Sequence, residues 1–392
     1  MPYVIFRLGS IQSAWISAKK KSTILNSTDM VIGLTANANS VERLVNSRYR
    51  ILILAVSVAA VKLVIAGWIA DRLSVAGRSA GHVFVDWDSA FFISIAENGY
   101  PAWEGLNRRL YAFLPAYPAL IRAVVYVLHD YWLAASLCAL VLGVASVVLF
   151  QMTAELYLPR RGALIATIVF TFFPYVFLFT SVAYTEPLFL FTTLACWLLH
   201  KKHHPFASAI FAIIATLTRE YGILIIVPIA YDFIRTKQTR YILTLTLPIA
   251  SLLGWCYFCF NATGDWLASL TSQRVAWGTV GLGESLYQIL FMNRTLPHGT
   301  DVALIAFLAI LVFPVLRSFK IDYALGIYST LLFLLLLLAG SRISMVRYVS
   351  FIFPLWITFP MKSLRSALLC MPIFLIVTAA LWFEFASGLW VA

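Results

Sequence analysis

The chain reads as long apolar stretches separated by short polar ones. Apolar runs occupy residues 51–70, 131–154, 163–183, 186–199, 206–218, 221–234, 241–260, 302–316, 323–340, 345–361 and 366–390. A helix needs about 20 predominantly apolar residues to cross the hydrocarbon core of a bilayer. The pattern therefore predicts an all-α polytopic membrane protein with about eleven transmembrane helices. Runs 186–199, 206–218 and 221–234 fall short of a full crossing, so they must tilt, borrow flanking residues or stop inside the protein. Residues 1–50 show no apolar core followed by a small-residue cleavage site, and are expected to form a cytoplasmic N-terminal tail rather than a signal peptide. Residues 51–392 then form one transmembrane domain, interrupted by a polar loop over 71–130.

One segment within that loop, Tyr111–Leu128, is apolar enough to be considered as a further span. It contains Pro115, Pro118 and Arg122. The prolines would remove backbone donors, and the arginine would lie mid-membrane. Charge placement decides the matter. If 111–128 stays outside, loops 155–162, 200–205, 235–240, 317–322 and 362–365 share a side with the N-terminal tail. Those five loops hold eleven lysines and arginines, among them Arg160, Lys201, Lys202, Arg240 and Lys320. Basic short loops mark the cytoplasmic side. The expected topology therefore has a cytoplasmic N-terminus, an outer or lumenal C-terminus, and 86–128 lying along the outer face as one or two surface helices.

Composition agrees with this class. Of 392 residues, 61% are hydrophobic and 12% charged, and the mean hydropathy is +0.87. Soluble domains carry about 25% charged residues. Five cysteines all lie in apolar runs, so the CxxC spacing of Cys256 and Cys259 reads as packing. The His200-Lys201-Lys202-His203-His204 tract reads as a solvated loop on the basic side. No glycine-rich nucleotide loop, nucleophile elbow or HExxH zinc motif occurs. Nucleic acid is not an expected partner; membrane lipid is.

On this topology the chemically interesting ionisable residues share the outer face. Asp86 and Asp88 flank Trp87 just beyond the first run. A carboxylate here can take a proton from an acceptor hydroxyl or hold a divalent cation. Asp88 also fits the N-cap of a short helix over Ser89–Asn98 that stops at Gly99. Glu186, after Tyr184 and before Pro187, suits a helix first turn or a hydrogen bond to a polar substrate. Arg219 ends a short run beside Glu220 and Gly222; it can approach an anion such as a lipid phosphate, pair with Glu220, or reach the headgroups. Arg342 and Arg347 face outward against the charge trend, as surface residues or as phosphate ligands.

Several of these residues stand in an order that resembles the PIG-V family, the GPI mannosyltransferase 2 enzymes and their prokaryotic relatives within the GT-C superfamily. The likeness is carried by Trp87-Asp88-Ser89 with Phe92, Ile95-Ala96-Glu97 and Gly99-Tyr100. It continues in Tyr111-Ala112-Phe113-Leu114-Pro115-Ala116-Tyr117-Pro118, Ala183-Tyr184-Thr185-Glu186-Pro187-Leu188-Phe189 and Leu217-Thr218-Arg219-Glu220-Tyr221-Gly222. The four motifs cover residues 87–224. The resemblance implies a membrane glycosyltransferase that moves a mannosyl residue, with inversion, from a polyprenyl- or dolichyl-phosphate sugar to a lipid-linked or glycan acceptor. The plasma membrane of a prokaryote or the endoplasmic reticulum membrane of a eukaryote would house it. It implies Asp88 as base with Asp86 beside it; the residues themselves name no metal site, and a divalent cation at these carboxylates is left open. Trp87, Tyr184, Glu186, Arg219, Arg342 and Arg347 would bind substrate. The rival is a transporter or scramblase of lipid-linked sugars, which would show related halves with broken helices. No such duplication is visible.

Overall fold

The structure is a computed structural model that describes residues 49, 51–277, 298–339, 344–359, 361 and 363–391. Internal contacts divide the chain at residue 56; the first unit is described only at residues 49 and 51–56, and the account below concerns 57–392. The predicted tail 1–50 and Arg342 lie outside the described residues, apart from Tyr49.

Among the described residues helix predominates and no strand occurs, and each of the eleven apolar runs contains helix. In chain order the helices are α1 (Ile51–Val75), α2 (Ser89–Asn98), α3 (Ala116–Leu128), α4 (Tyr131–Ala154), α5 (Arg160–Phe172) and α6 (Pro174–Phe179). There follow α7 (Glu186–Lys201), α8 (Pro205–Thr218), α9 (Ile226–Arg235), α10 (Thr246–Thr263) and α11 (Ala268–Trp277). The last five are α12 (His298–Ile321), α13 (Tyr323–Ala339), α14 (Met345–Ser350), α15 (Phe353–Thr358) and α16 (Leu364–Ala386). Five segments among them, Ile51–Val75, Tyr131–Ala154, Thr239–Thr263, Ala303–Ile321 and Leu364–Ala386, are each long and apolar enough to cross a bilayer.

The shortness of the run over 186–199 is explained by its position. Helix α7 packs between α4 and α8 and is buried almost all round. A helix apolar on every side belongs in a protein interior, where bilayer thickness does not set its length. Proline sets other breaks. Phe173 precedes Pro174 and adopts an extended conformation (φ −60°, ψ 129°), which ends α5 and starts α6. By contrast α1 buries a single stripe, Val58, Lys62, Ala66, Ile69 and Leu73, at the spacing of one helix face.

In the 71–130 region the chain forms α2, a 3₁₀ segment over Gly105–Ala112, and α3, the last two bent by 92°. A buried cluster joins these elements to the bundle: Val85, Phe92 and Ala96 pack with Tyr117, Ile121, Ala134, Ala135, Ala183 and Leu188. The reading of His200–His204 as a solvated loop needs correction. Lys202, His203 and His204 are exposed, but His200 and Lys201 belong to the last turn of α7. Lys201 Nζ lies 2.6 Å from Asp232 and 3.0 Å from Asp322, and His200 Nε2 lies 3.0 Å from Asp232. These pairs join the end of α7 to α9 and to the start of α13.

Candidate active site

The site begins where the chain leaves α1. A 3₁₀ turn over Ala80–Val83 leads into the Asp86-Trp87-Asp88 sequence. Trp87 takes a positive φ of 54°, uncommon for a large side chain. That turn separates the two carboxylates. Asp86 faces Arg78 and His82, pairing with both, and its Oδ1 accepts the Trp87 N–H at 2.9 Å. Asp88 occupies the N-cap position of α2, whose bounds match the sequence expectation, and Gly99 closes the helix. Its side chain makes no capping hydrogen bond. The backbone N–H of Asp88 instead donates to the Tyr184 hydroxyl at 3.3 Å. Nearby, Ala183 N–H donates to Phe84 C=O at 2.8 Å, so loop 84–88 is stitched to loop 180–185.

The second loop is clamped from below by a residue that the sequence reading passed over. Lys62, on the buried stripe of α1, is fully buried. Its ammonium donates to Thr180 C=O and Thr180 Oγ1, both at 2.8 Å, and to Ser181 Oγ at 2.9 Å. A cation at the C-terminal end of α6 also meets that helix's dipole favourably. From the other side α4 comes so close that a Cβ on Gly143 would lie 2.0 Å from the Thr180 carbonyl oxygen. Only glycine permits that approach. The signal for Lys62 was present: an ionisable residue inside an apolar run is functional by default.

Loop 180–185 delivers Glu186 to the first turn of α7, where it is buried. Two arginines from distant segments converge on it. Arg219, following α8, places Nη2 2.6 Å from Glu186 Oε1; Arg347, in α14, places Nε 3.3 Å from the same oxygen. Arg219 also donates to Thr185 Oγ1 at 2.9 Å and to the Tyr221 hydroxyl at 2.6 Å. Arg347 donates to the Tyr348 hydroxyl at 2.8 Å and lies among the rings of Phe179, Tyr184, Tyr348 and Trp390. Arg347 is 3% exposed, yet its Nε and Nη1 make no hydrogen bond among the described residues. Its Nε already faces the Glu186 carboxylate, so Nη1 is the buried donor left open to an anion.

Asp88 completes the cluster. Partial burial pushes its carboxyl up to about 6, and Glu186 adds to the rise while Arg347 and Arg219 oppose it. The cluster is therefore two guanidiniums, one fixed carboxylate and one carboxyl poised to exchange a proton near neutrality. A carboxyl in that range suits general base catalysis.

Asp88, Tyr184, Glu186, Arg219 and Arg347 are thus brought together. Asp86 is turned away into its own pairing with Arg78. Trp87 donates through Nε1 to Leu389 C=O at 3.1 Å. Arg219 is paired with Glu186, whereas Glu220 accepts from Gln273 at 3.1 Å. Besides Lys62, sequence reasoning missed Tyr348 and Trp390, which carry no local pattern that separates them from other aromatic residues at span ends, and gave no role to Thr185 and Tyr221, although both stand inside the quoted motifs. Among the described residues no three His, Cys, Asp or Glu side chains group so as to hold a metal ion. A cleft of about 450 Å³ between α1 and α16, lined by residues such as Val61, Ile65, Leu375 and Ile376, is wholly apolar and apart from this cluster.

Comparison with known proteins bears on these residues. The family model described as mannosyltransferase (PIG-V) matches residues 73–247, which include Asp88, Glu186 and Arg219. Among solved structures, ArnT from Cupriavidus metallidurans bound to undecaprenyl phosphate superposes with a TM-score of 0.54 at 13% identity, covering 86% of this chain and 68% of that one. Its apo form gives 0.51 at 13% identity, covering 82% and 68%. At such identity the likeness concerns the fold, which is of the GT-C type. No curated protein matches the chain.

Proposed function

Over residues 73–247 the chain belongs to the PIG-V mannosyltransferase family, and with its GT-C fold it is a membrane glycosyltransferase; from that premise we propose that it transfers a mannosyl residue, with inversion, from a polyprenyl-phosphate carrier to a hydroxyl of a lipid-linked or glycan acceptor. The observation that carries this reading is a single one. Asp88, free of capping duty, faces two arginines that are balanced by only one buried glutamate.

In the proposed step the acceptor oxygen attacks the anomeric carbon from the side opposite the phosphate. The acceptor O–H proton passes to Asp88 as the new C–O bond forms. The bond from the anomeric carbon to the phosphate oxygen breaks, and its electron pair leaves on the phosphate. Arg347, through an Nη1 that no described residue engages, and Arg219 meet the charge that develops there. Glu186 holds both guanidiniums in place, and Tyr184 orients Asp88 through its backbone. The predominance of basic residues in the five short loops supports an outer or lumenal location for this site.

Purified protein in lipid nanodiscs, supplied with polyprenyl-phosphate mannose and a lipid acceptor, tests the reading. We expect a mannosylated acceptor and free polyprenyl phosphate in equal amounts, and loss of both products in Asp88→Asn. Movement of intact donor across liposomes without bond exchange would instead support a transporter and overturn the proposal.

A further inference from the structure

Beyond α16 the chain does not run off into solvent but turns back over the site. Gly388 has a φ of 82°, and Leu389 N–H donates to Glu384 C=O at 2.9 Å, which reverses the chain direction. The Leu389 carbonyl accepts the Trp87 indole N–H. The Trp390 ring then meets Trp87 edge to face, with centroids 5.2 Å apart at 76°, and lies 5.8 Å from the Arg347 guanidinium carbon. Both indoles remain 37% exposed, while Arg347 beneath is 3% exposed. Trp87 is covalently next to Asp88. Two half-open indoles therefore connect the residue next to the candidate base with the candidate phosphate arginine.

We propose that Trp390 and Trp87 wall a subsite for the hexosyl ring of the donor, so that the segment Ser387–Val391 recognises the sugar and not the lipid. This rests on the donor reading given above. A pyranose presents a patch of C–H bonds on one face and hydroxyls around its rim. The exposed faces of two indoles suit that patch, and the polar end of Trp87 is already satisfied by Leu389. The ring would then lie where its anomeric carbon has Asp88 on one side and the phosphate arginines on the other. A tryptophan serving only as an interfacial anchor has no need to touch Arg347 or Trp87.

The test compares two ligands, polyprenyl-phosphate mannose and bare polyprenyl phosphate, on the full chain in nanodiscs. We expect Trp390→Ala to raise the Kd and KM for the mannosyl donor by about tenfold, the scale of one well-placed aromatic contact. Binding of the bare carrier should stay within about twofold of wild type by the same measure. Trp390→Phe should recover most of the difference. Should the alanine variant fail to fold, Trp390→Leu, which keeps apolar bulk but no ring, is expected to show the same sugar-selective loss. Equal weakening of both ligands, or none, overturns the subsite. A wild type that binds neither ligand overturns the donor assignment itself, and the subsite with it.

Discussion

Replacing Asp88 by asparagine should cost activity and gain stability, with opposite dependence on pH. In the folded protein the carboxyl sits at about 6, against 3.8 for an unperturbed aspartate, chiefly because burial penalises its charge. Between those values the folded state holds a proton that the unfolded state has released. Stability therefore falls as pH rises through this window and stays reduced above about 6. The burden at neutral pH is at most about 3 kcal/mol, and less for a side chain that keeps some contact with solvent. Asparagine, neutral at every pH, escapes it. The thermal midpoint of Asp88→Asn in nanodiscs should exceed that of wild type at pH 7.5 and converge with it near pH 4. Activity should run the other way. A base titrating near 6 gives wild-type kcat/KM a rise of about tenfold between pH 5 and 7. Loss of that base should lower transfer by about 10²–10⁴. Removing the guanidinium that most strongly opposes the rise, in Arg347→Gln, should move the acid limb to higher pH. A variant that is less stable at pH 7.5, or a wild-type profile flat from pH 5 to 7, would refute the reasoning.

Three further outcomes follow from the geometry. Glu186→Gln strips the shared counter-ion from two buried guanidiniums, and breaking such a pairing costs about 3–5 kcal/mol; a fall in thermal midpoint larger than that of any single surface substitution is expected. Gly143→Ala would drive a methyl into the Thr180 carbonyl and should cost about 1–3 kcal/mol, with kcat falling as loop 180–185 shifts. Asp86→Asn weakens only the partly exposed pairings with Arg78 and His82, each worth about 0–1 kcal/mol; it should retain transfer within about tenfold of wild type, and a loss as deep as that of Asp88→Asn would show that the two carboxylates act together.

Local chemistry already determined much of this protein. Hydropathy alone located eleven helical stretches, because a chain in lipid must satisfy its backbone within each segment. The bounds of α2, Asp88 and Gly99, were also legible; Gly99 closes the helix with the positive φ the sequence implied, although Asp88 marks the start without making a capping hydrogen bond. The polar islands at span ends also marked Asp88, Glu186, Arg219 and Arg347 for attention. Only the tertiary structure decided which of them meet. Nothing near Arg219 says that it bypasses the adjacent Glu220 for Glu186, or that Arg347 arrives at the same oxygen from the far end of the chain. The division between Asp86 and Asp88 depends on the backbone turn at Trp87 and on an arginine and histidine that approach from the preceding turn. Lys62, whose partners lie more than a hundred residues away in α6 and the loop after it, and His200, buried because α7 ends among other helices, make the same point. Local propensity reads neighbours along the chain, whereas the pairing of buried charges is set by which helix ends the packing brings together.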